Sequence, residues 1–137
     1  MDEIQRLLDT TFPFINSLLV KYGEFFPLAS AIDSNGQISQ VGTYDGVDNP
    51  LSDKLVNDFK DIFRAKKDKF NSIAIFYDVK VVNPKTGLKT DAVAVFGENK
   101  IDRTSYIFYF PYSLTTDKKL SYLDSWMNTN HKEIFID

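Results

Sequence analysis

Three acidic side chains stand where carboxylates could do chemistry: Asp78, Asp91 and Glu98. All lie in or beside two β-rich runs, SIAIFYDVKVV and TDAVAVF, joined by NPKTGLK, which is how an antiparallel hairpin is written in sequence. Antiparallel partners keep a constant index sum, so a turn centred between Lys85 and Thr86 sets Val79 opposite Ala92, Tyr77 opposite Ala94 and Ile75 opposite Phe96. The other face then carries Phe76 opposite Val95, Asp78 opposite Val93 and Lys80 opposite Asp91. Asp78, Lys80 and Asp91 therefore form a polar cluster near one end of an otherwise apolar ribbon. Paired carboxylates do general acid–base work or hold a hard cation. Lys80 opposite Asp91 is also a plain cross-strand ion pair, and that is the reading the pattern favours. A buried Asp78 with a raised pKa would turn the balance toward acid–base chemistry.

The other reactive residue types are few. There is no cysteine, so thiolate chemistry and disulfides are excluded, and a single histidine, His131, rules out a histidine-cluster metal site. No serine sits in a G-x-S-x-G elbow, and a Ser–His pair would need His131 as its base. Gly36, Gly42 and Gly46 form no phosphate loop, and the segments DSNG and YDGVDNP lack the spacing and closing glutamate of an EF-hand. The expectation is a chain with no catalytic residue, no metal and no cofactor.

These residues need a scaffold, and the rest of the sequence describes one. Ile4, Leu7, Leu8, Phe12, Ile15, Leu18, Leu19 and Tyr22 recur at spacings of three and four, the stripe of an amphipathic helix ending near Gly23. Pro13 interrupts that stripe, which predicts a kink or a fresh start capped by Thr10 or Thr11. FPLASAI and QISQVGTY read as two strands around Asn35-Gly36, a dipeptide suited to a type I′ turn. Asn49 and Pro50 open a second helix, running to about Lys69, with Leu51, Leu55, Phe59, Ile62, Phe63 and Phe70 as its stripe. After the central hairpin, TSYIFYFPYS is a strand apolar on both faces, Ile107 and Tyr109 on one and Tyr106, Phe108 and Phe110 on the other. Pro111 marks where its pairing must stop or reach an edge. Leu120, Leu123, Trp126 and Met127 read as a short helix, and EIFI as a short strand or docked tail.

At 137 residues this fits one α+β domain with a five-stranded antiparallel sheet packed by two or three helices, those helices covering one side. Twelve Phe, seven Tyr and one Trp are read first as core filling and then as an aromatic pocket or interface. A net charge of −3 gives no field directed at nucleic acid or anionic membrane. No stretch approaches the length of a membrane span, and the acidic start MDEIQRLLD is unlike a secretory signal, so the expected location is cytoplasmic.

The order helix, two strands, helix, three strands and a final helix resembles the profilin-like, roadblock or longin architecture. That resemblance implies a strand order of 2-1-5-4-3, with Ser105 to Tyr112 in the middle. ASAIDSNGQI is similar to the first hairpin of roadblock domains. The phrases GEFFPLASAIDSNG, YDVKV, KTDAVAVFGE and FPYS resemble a widespread group of small bacterial proteins. Proteins of that size and style occur beside toxin systems as immunity partners, and neither resemblance carries over a functional residue.

The functional expectation is a non-enzymatic protein–protein interaction module of bacterial type, serving as an immunity or regulatory partner, with homodimerisation as its leading form. The acidic loop around Asp45 and Asp48, with Tyr44 beside it, is the expected partner contact, complementary to a basic surface. The alternatives are a small-molecule-binding domain with a pocket lined by Tyr106 to Tyr112, and a hydrolase using the Asp78 and Asp91 carboxylates.

Overall fold

The computed structural model describes residues 2–41 and 52–136. Helix α1 (Asp2–Tyr22) is followed by strands β1 (Leu28–Asp33) and β2 (Ile38–Val41), helix α2 (Ser52–Ala65) and a 3₁₀ turn (Lys67–Lys69). Strands β3 (Phe70–Val82), β4 (Lys89–Asn99), β5 (Ser105–Leu114), β6 (Leu120–Tyr122) and β7 (Trp126–Asn130) complete the chain. The fold is α+β, and its antiparallel sheet has seven strands rather than five. None of the helices is long and apolar enough to cross a membrane, among the described residues.

The central hairpin takes the register read from its turn: Val79 pairs with Ala92, Tyr77 with Ala94, Ile75 with Phe96, Asp78 with Val93 and Lys80 with Asp91. Asn83 fixes the turn by exchanging backbone bonds with Leu88 and Gly87, while its side-chain oxygen accepts the Lys85 N–H. Around it the strand order is β2-β1-β3-β4-β5-β6, with β7 also on β5. The 2-1-5-4-3 order is therefore wrong, because β1 pairs with β3. β5 lies inside the sheet, but between β4 and the pair formed by β6 and β7.

β6 and β7 stand where the apolar spacing predicted a helix. Each covers part of one edge of β5: β6 pairs with Tyr112 to Leu114, and β7 with Ser105 to Tyr109. The change of partner falls at Pro111, which has no N–H to donate and whose carbonyl accepts from Leu123 at 2.9 Å. An unpaired edge supplies hydrogen bonds that short segments cannot make alone, so the tertiary partner overrides a weak helical period.

Helices cover both faces of the sheet, not one. α1 lays Ile4, Leu7, Leu8, Ile15 and Leu19 against Ala74, Phe76, Val93, Val95 and Tyr112. Phe59 and Phe63 of α2 pack with Ala29, Ala31, Ile73, Ile75 and Phe96 on the opposite face. Both faces of β3 and β4 are apolar at this end, so each needs a cover. Gly97 lets α1 approach: a Cβ there would lie 3.2 Å from an Ile4 methyl carbon. A fully buried hydroxyl pair, Thr11 to Ser30 at 3.0 Å, pins the same helix to β1.

Three local expectations are corrected. α1 is a single segment through Pro13, which is exposed, so the fresh start capped by Thr10 or Thr11 does not occur. The turn at Asn35-Gly36 is not type I′: Gly36 has φ 83°, but Asn35 does not have positive φ. The Asp33 carboxylate accepts the N–H groups of Asn35 and Gln37, which favours a three-residue loop with glycine alone in the left-handed region. Phe70 is the first residue of β3, not the end of α2, because the helix stops at Ala65. The cap expected at Asn49 and Pro50, with Leu51, lies outside the described residues.

Candidate functional site

The polar cluster read from the hairpin lies on the α1 face of the sheet, at the end where α1 stops. Asp91 pairs across β4 and β5 with Tyr112, and Tyr112 pairs in turn with Tyr122, so Lys80, Asp91, Tyr112 and Tyr122 form one row across four strands. Asp78 sits one step inward along β3. The Tyr112 hydroxyl donates to Asp78 Oδ1 at 2.7 Å. Gly23, Glu24, Asp78, Lys80, Asp91 and Tyr112 surround a depression of about 270 Å³. Lys80 and Asp91 are both exposed, and among the described residues no ion pair joins them.

Burial raises the Asp78 carboxyl above the usual carboxylate range; the Tyr112 hydrogen bond and the Phe25 backbone N–H oppose this, while the charges of Asp91 and Glu24 add to it. Tyr112 is pushed above the usual phenol value by burial and by its bond to the Asp78 carboxylate. Tyr122 is pushed up to about 12 by burial and then by the Asp78 charge. Tyr112 keeps its proton and donates a hydrogen bond to Asp78, whose raised pKa is the feature of this unit that acid–base chemistry would use. Among the described residues no group of three or more His, Asp or Glu side chains is placed to hold a metal ion.

Both flanks of α1 leave surface open beside it. On the flank toward β5, a groove of about 640 Å³ runs between the helix residues Leu8, Phe12 and Asn16 and the sheet residues Phe108, Phe110 and Tyr122. Phe12 points edge-on at Phe110 (4.9 Å) and Tyr122 (5.8 Å), and Phe108 and Phe110 stack along β5 at 6.2 Å. The Tyr122 hydroxyl donates to Asn16 Oδ1 at 2.6 Å and ties the two walls together. On the other flank Phe14, Leu18 and Tyr22 follow at intervals of four, and Phe14 and Tyr22 are 48% and 62% exposed. Phe26, 51% exposed, extends this surface. A hollow of about 460 Å³ opens there between Leu18, Tyr22, Glu24, Phe25 and Phe26.

Glu98, the third acidic candidate, has a different role. It is fully buried, and its carboxylate accepts the backbone N–H groups of Glu133, Ile134 and Phe135 at 2.7, 2.9 and 2.6 Å. The C-terminal segment docks on the α2 face through these bonds, with Ile134 fully buried. His131 is exposed, and Ser105 Oγ donates to its backbone carbonyl at 2.9 Å, not to its ring. Tyr44, Asp45 and Asp48 lie outside the described residues.

Sequence reasoning missed Tyr112 as the partner of Asp78. The signal was present, since β4 and β5 pair with an index sum centred between Ile101 and Asp102, but KIDRT carries no glycine or proline to mark that centre. The aromatic run Tyr106 to Tyr112 pointed to a pocket, and its Phe108 and Phe110 line the α1 groove, but the helix wall of that groove had no sequence signal, because it depends on which face the helix covers. Compared with protein-family models, with curated proteins and with solved structures, the chain finds no match, so its functional reading rests on this geometry.

Proposed function

We propose that this chain is a non-enzymatic interaction module that binds a protein partner on the outer flank of α1. The observation that carries the reading is the run Phe14, Leu18, Tyr22 and Phe26, in which three large apolar side chains are about half exposed or more along one line. Contiguous exposed apolar surface of this kind marks contact sites, and aromatic residues dominate the energetics of such contacts. A second copy of the chain is the first partner to test, and an inhibitory or regulatory role toward a different protein is the other form of the same reading. The acidic residues Asp45 and Asp48 are proposed as a further contact, one that weakens with salt.

The test is light scattering across a range of concentration, followed by affinity capture, on the wild type and on the Phe14→Glu, Tyr22→Glu double variant. The expected result is a mass above 15.7 kDa or a captured protein for the wild type. The double variant should weaken that association by about thirtyfold or more. A monomer that captures nothing, or an association the variant leaves intact, contradicts the proposal.

The half-buried Asp78 with its raised pKa favours one second reading, a hydrolase using the Asp78 and Asp91 carboxylates. Turnover of a panel of simple esters and phosphate esters, lost in Asp78→Asn with the fold intact, would support it over the interaction module. Altered stability alone returns both residues to structural duty.

A further inference from the structure

Pro13 is unexplained by packing: it stands in the middle of a helix, on its exposed side, at the lip of the groove between α1 and β5. A helical residue normally gives its N–H to the carbonyl four residues before it, and proline has none to give. The carbonyl that loses its usual donor is that of Asp9, whose side chain lines the same groove. Asp9 is exposed and accepts one bond, from the Gln5 amide at 2.9 Å, on one of its two oxygens. It is the single charged residue among those lining the groove. The lip therefore carries a carboxylate and, beside it, a carbonyl that Pro13 leaves without its helical donor, both of them acceptors.

Below that lip the groove offers aromatic rings from three elements: Phe12 of α1, Phe108 and Phe110 of β5, and Tyr122 of β6. Its volume of about 640 Å³ falls in the range of small-molecule sites. The Tyr122 to Asn16 bond holds the walls in place before any ligand arrives. Ring faces attract cations as well as apolar groups.

We infer that the groove between α1 and β5 binds a small organic ammonium, its apolar body against the aromatic rings and its N–H groups on the carboxylate and backbone carbonyl of Asp9. This ligand is independent of the protein partner proposed for the opposite flank. It also gives Pro13 a function, that of keeping an acceptor free at the lip at a cost to the helix.

Three probes of one shape test the inference at neutral pH: 4-phenylbutylamine, which is cationic, 4-phenylbutanol, which is neutral, and 4-phenylbutyrate, which is anionic. Calorimetry gives affinity and backbone chemical shifts give location. The expected order is amine, alcohol, carboxylate, with about fivefold or more between the amine and the carboxylate, and Asp9→Asn removing most of that difference. Pro13→Ala should raise the melting temperature by restoring the helical bond and yet weaken the amine about threefold, opposite signs that a purely structural proline would not give. Absence of saturation by the amine below about 10 mM overturns the inference. So does carboxylate binding as tight as the amine, a shift map centred away from Phe12, Phe110 and Tyr122, or a Pro13→Ala variant that binds the amine as well as the wild type.

Discussion

The two faces of the sheet are finished in opposite ways. On the α2 face the C-terminal segment closes the surface: Glu98 takes three successive backbone N–H groups, Ile134 is fully buried, and Arg64 donates to the Glu133 carbonyl at 2.8 Å. Lys60 reaches the Glu133 carboxylate at 3.2 Å and lies over the Phe96 ring at 4.6 Å. On the α1 face one helix lies on the sheet with an aromatic groove along one flank, exposed apolar side chains along the other and the Asp78 hollow at its end. A buried charge with every acceptor engaged makes a seam. An exposed carboxylate or aromatic leaves something to bind, and among the described residues the proposed sites therefore fall on the α1 face.

That contrast can be broken first where it is strongest. Glu98→Gln leaves one carbonyl and an amide facing three N–H donors, so at least one donor loses its acceptor; the expected destabilisation is on the order of 2 to 3 kcal/mol by denaturant unfolding. A loss within about 0.5 kcal/mol would mean the tail contributes little and the two faces differ less than described.

Asp78 sharpens the comparison on the other face. Its folded-state pKa is raised, so the folded protein holds the proton more tightly than the unfolded chain. The stability this gives is present below the unfolded pKa and is lost as pH rises through the folded one. Asp78→Asn, which can still accept from Tyr112, should therefore gain more melting temperature at pH 7 than at pH 3, relative to wild type. A gain equal at both values would remove the desolvated carboxyl from the account. The smallest expected effect is that of Phe14→Glu with Tyr22→Glu on stability, within about 0.5 kcal/mol, because both side chains are about half exposed or more. A large loss would reassign them from contact surface to core.

Much of this scaffold was legible in the sequence. The central register followed from one symmetric turn, and both helices from their stripes. The strand order was not legible, because β3 and β5 are each apolar on both faces and either would suit the neighbour of β1. Burial tells them apart only after folding: Ile73 to Phe76 are fully buried, while Tyr106 to Phe110 are only partly buried. Leu120, Leu123 and Trp126 mimic a helical period, and the β5 edge that makes strands of their neighbourhood is itself a product of the fold. Glu98 was legible as an acidic candidate on the hairpin, but its partners are backbone groups that no residue pattern encodes. The Asp78, Lys80 and Asp91 grouping followed from the register; the Tyr112 bond that defines its chemistry did not.

Amide hydrogen exchange at Glu133, Ile134 and Phe135 in the wild-type protein tests the difference between the faces most directly. The account predicts protection approaching that of the central strands, lost in Glu98→Gln while the buried amides of α1 keep theirs. Exchange at those three amides as fast as at the exposed Asp124 and Ser125 would contradict it, since the α2 face would then be as open as the other.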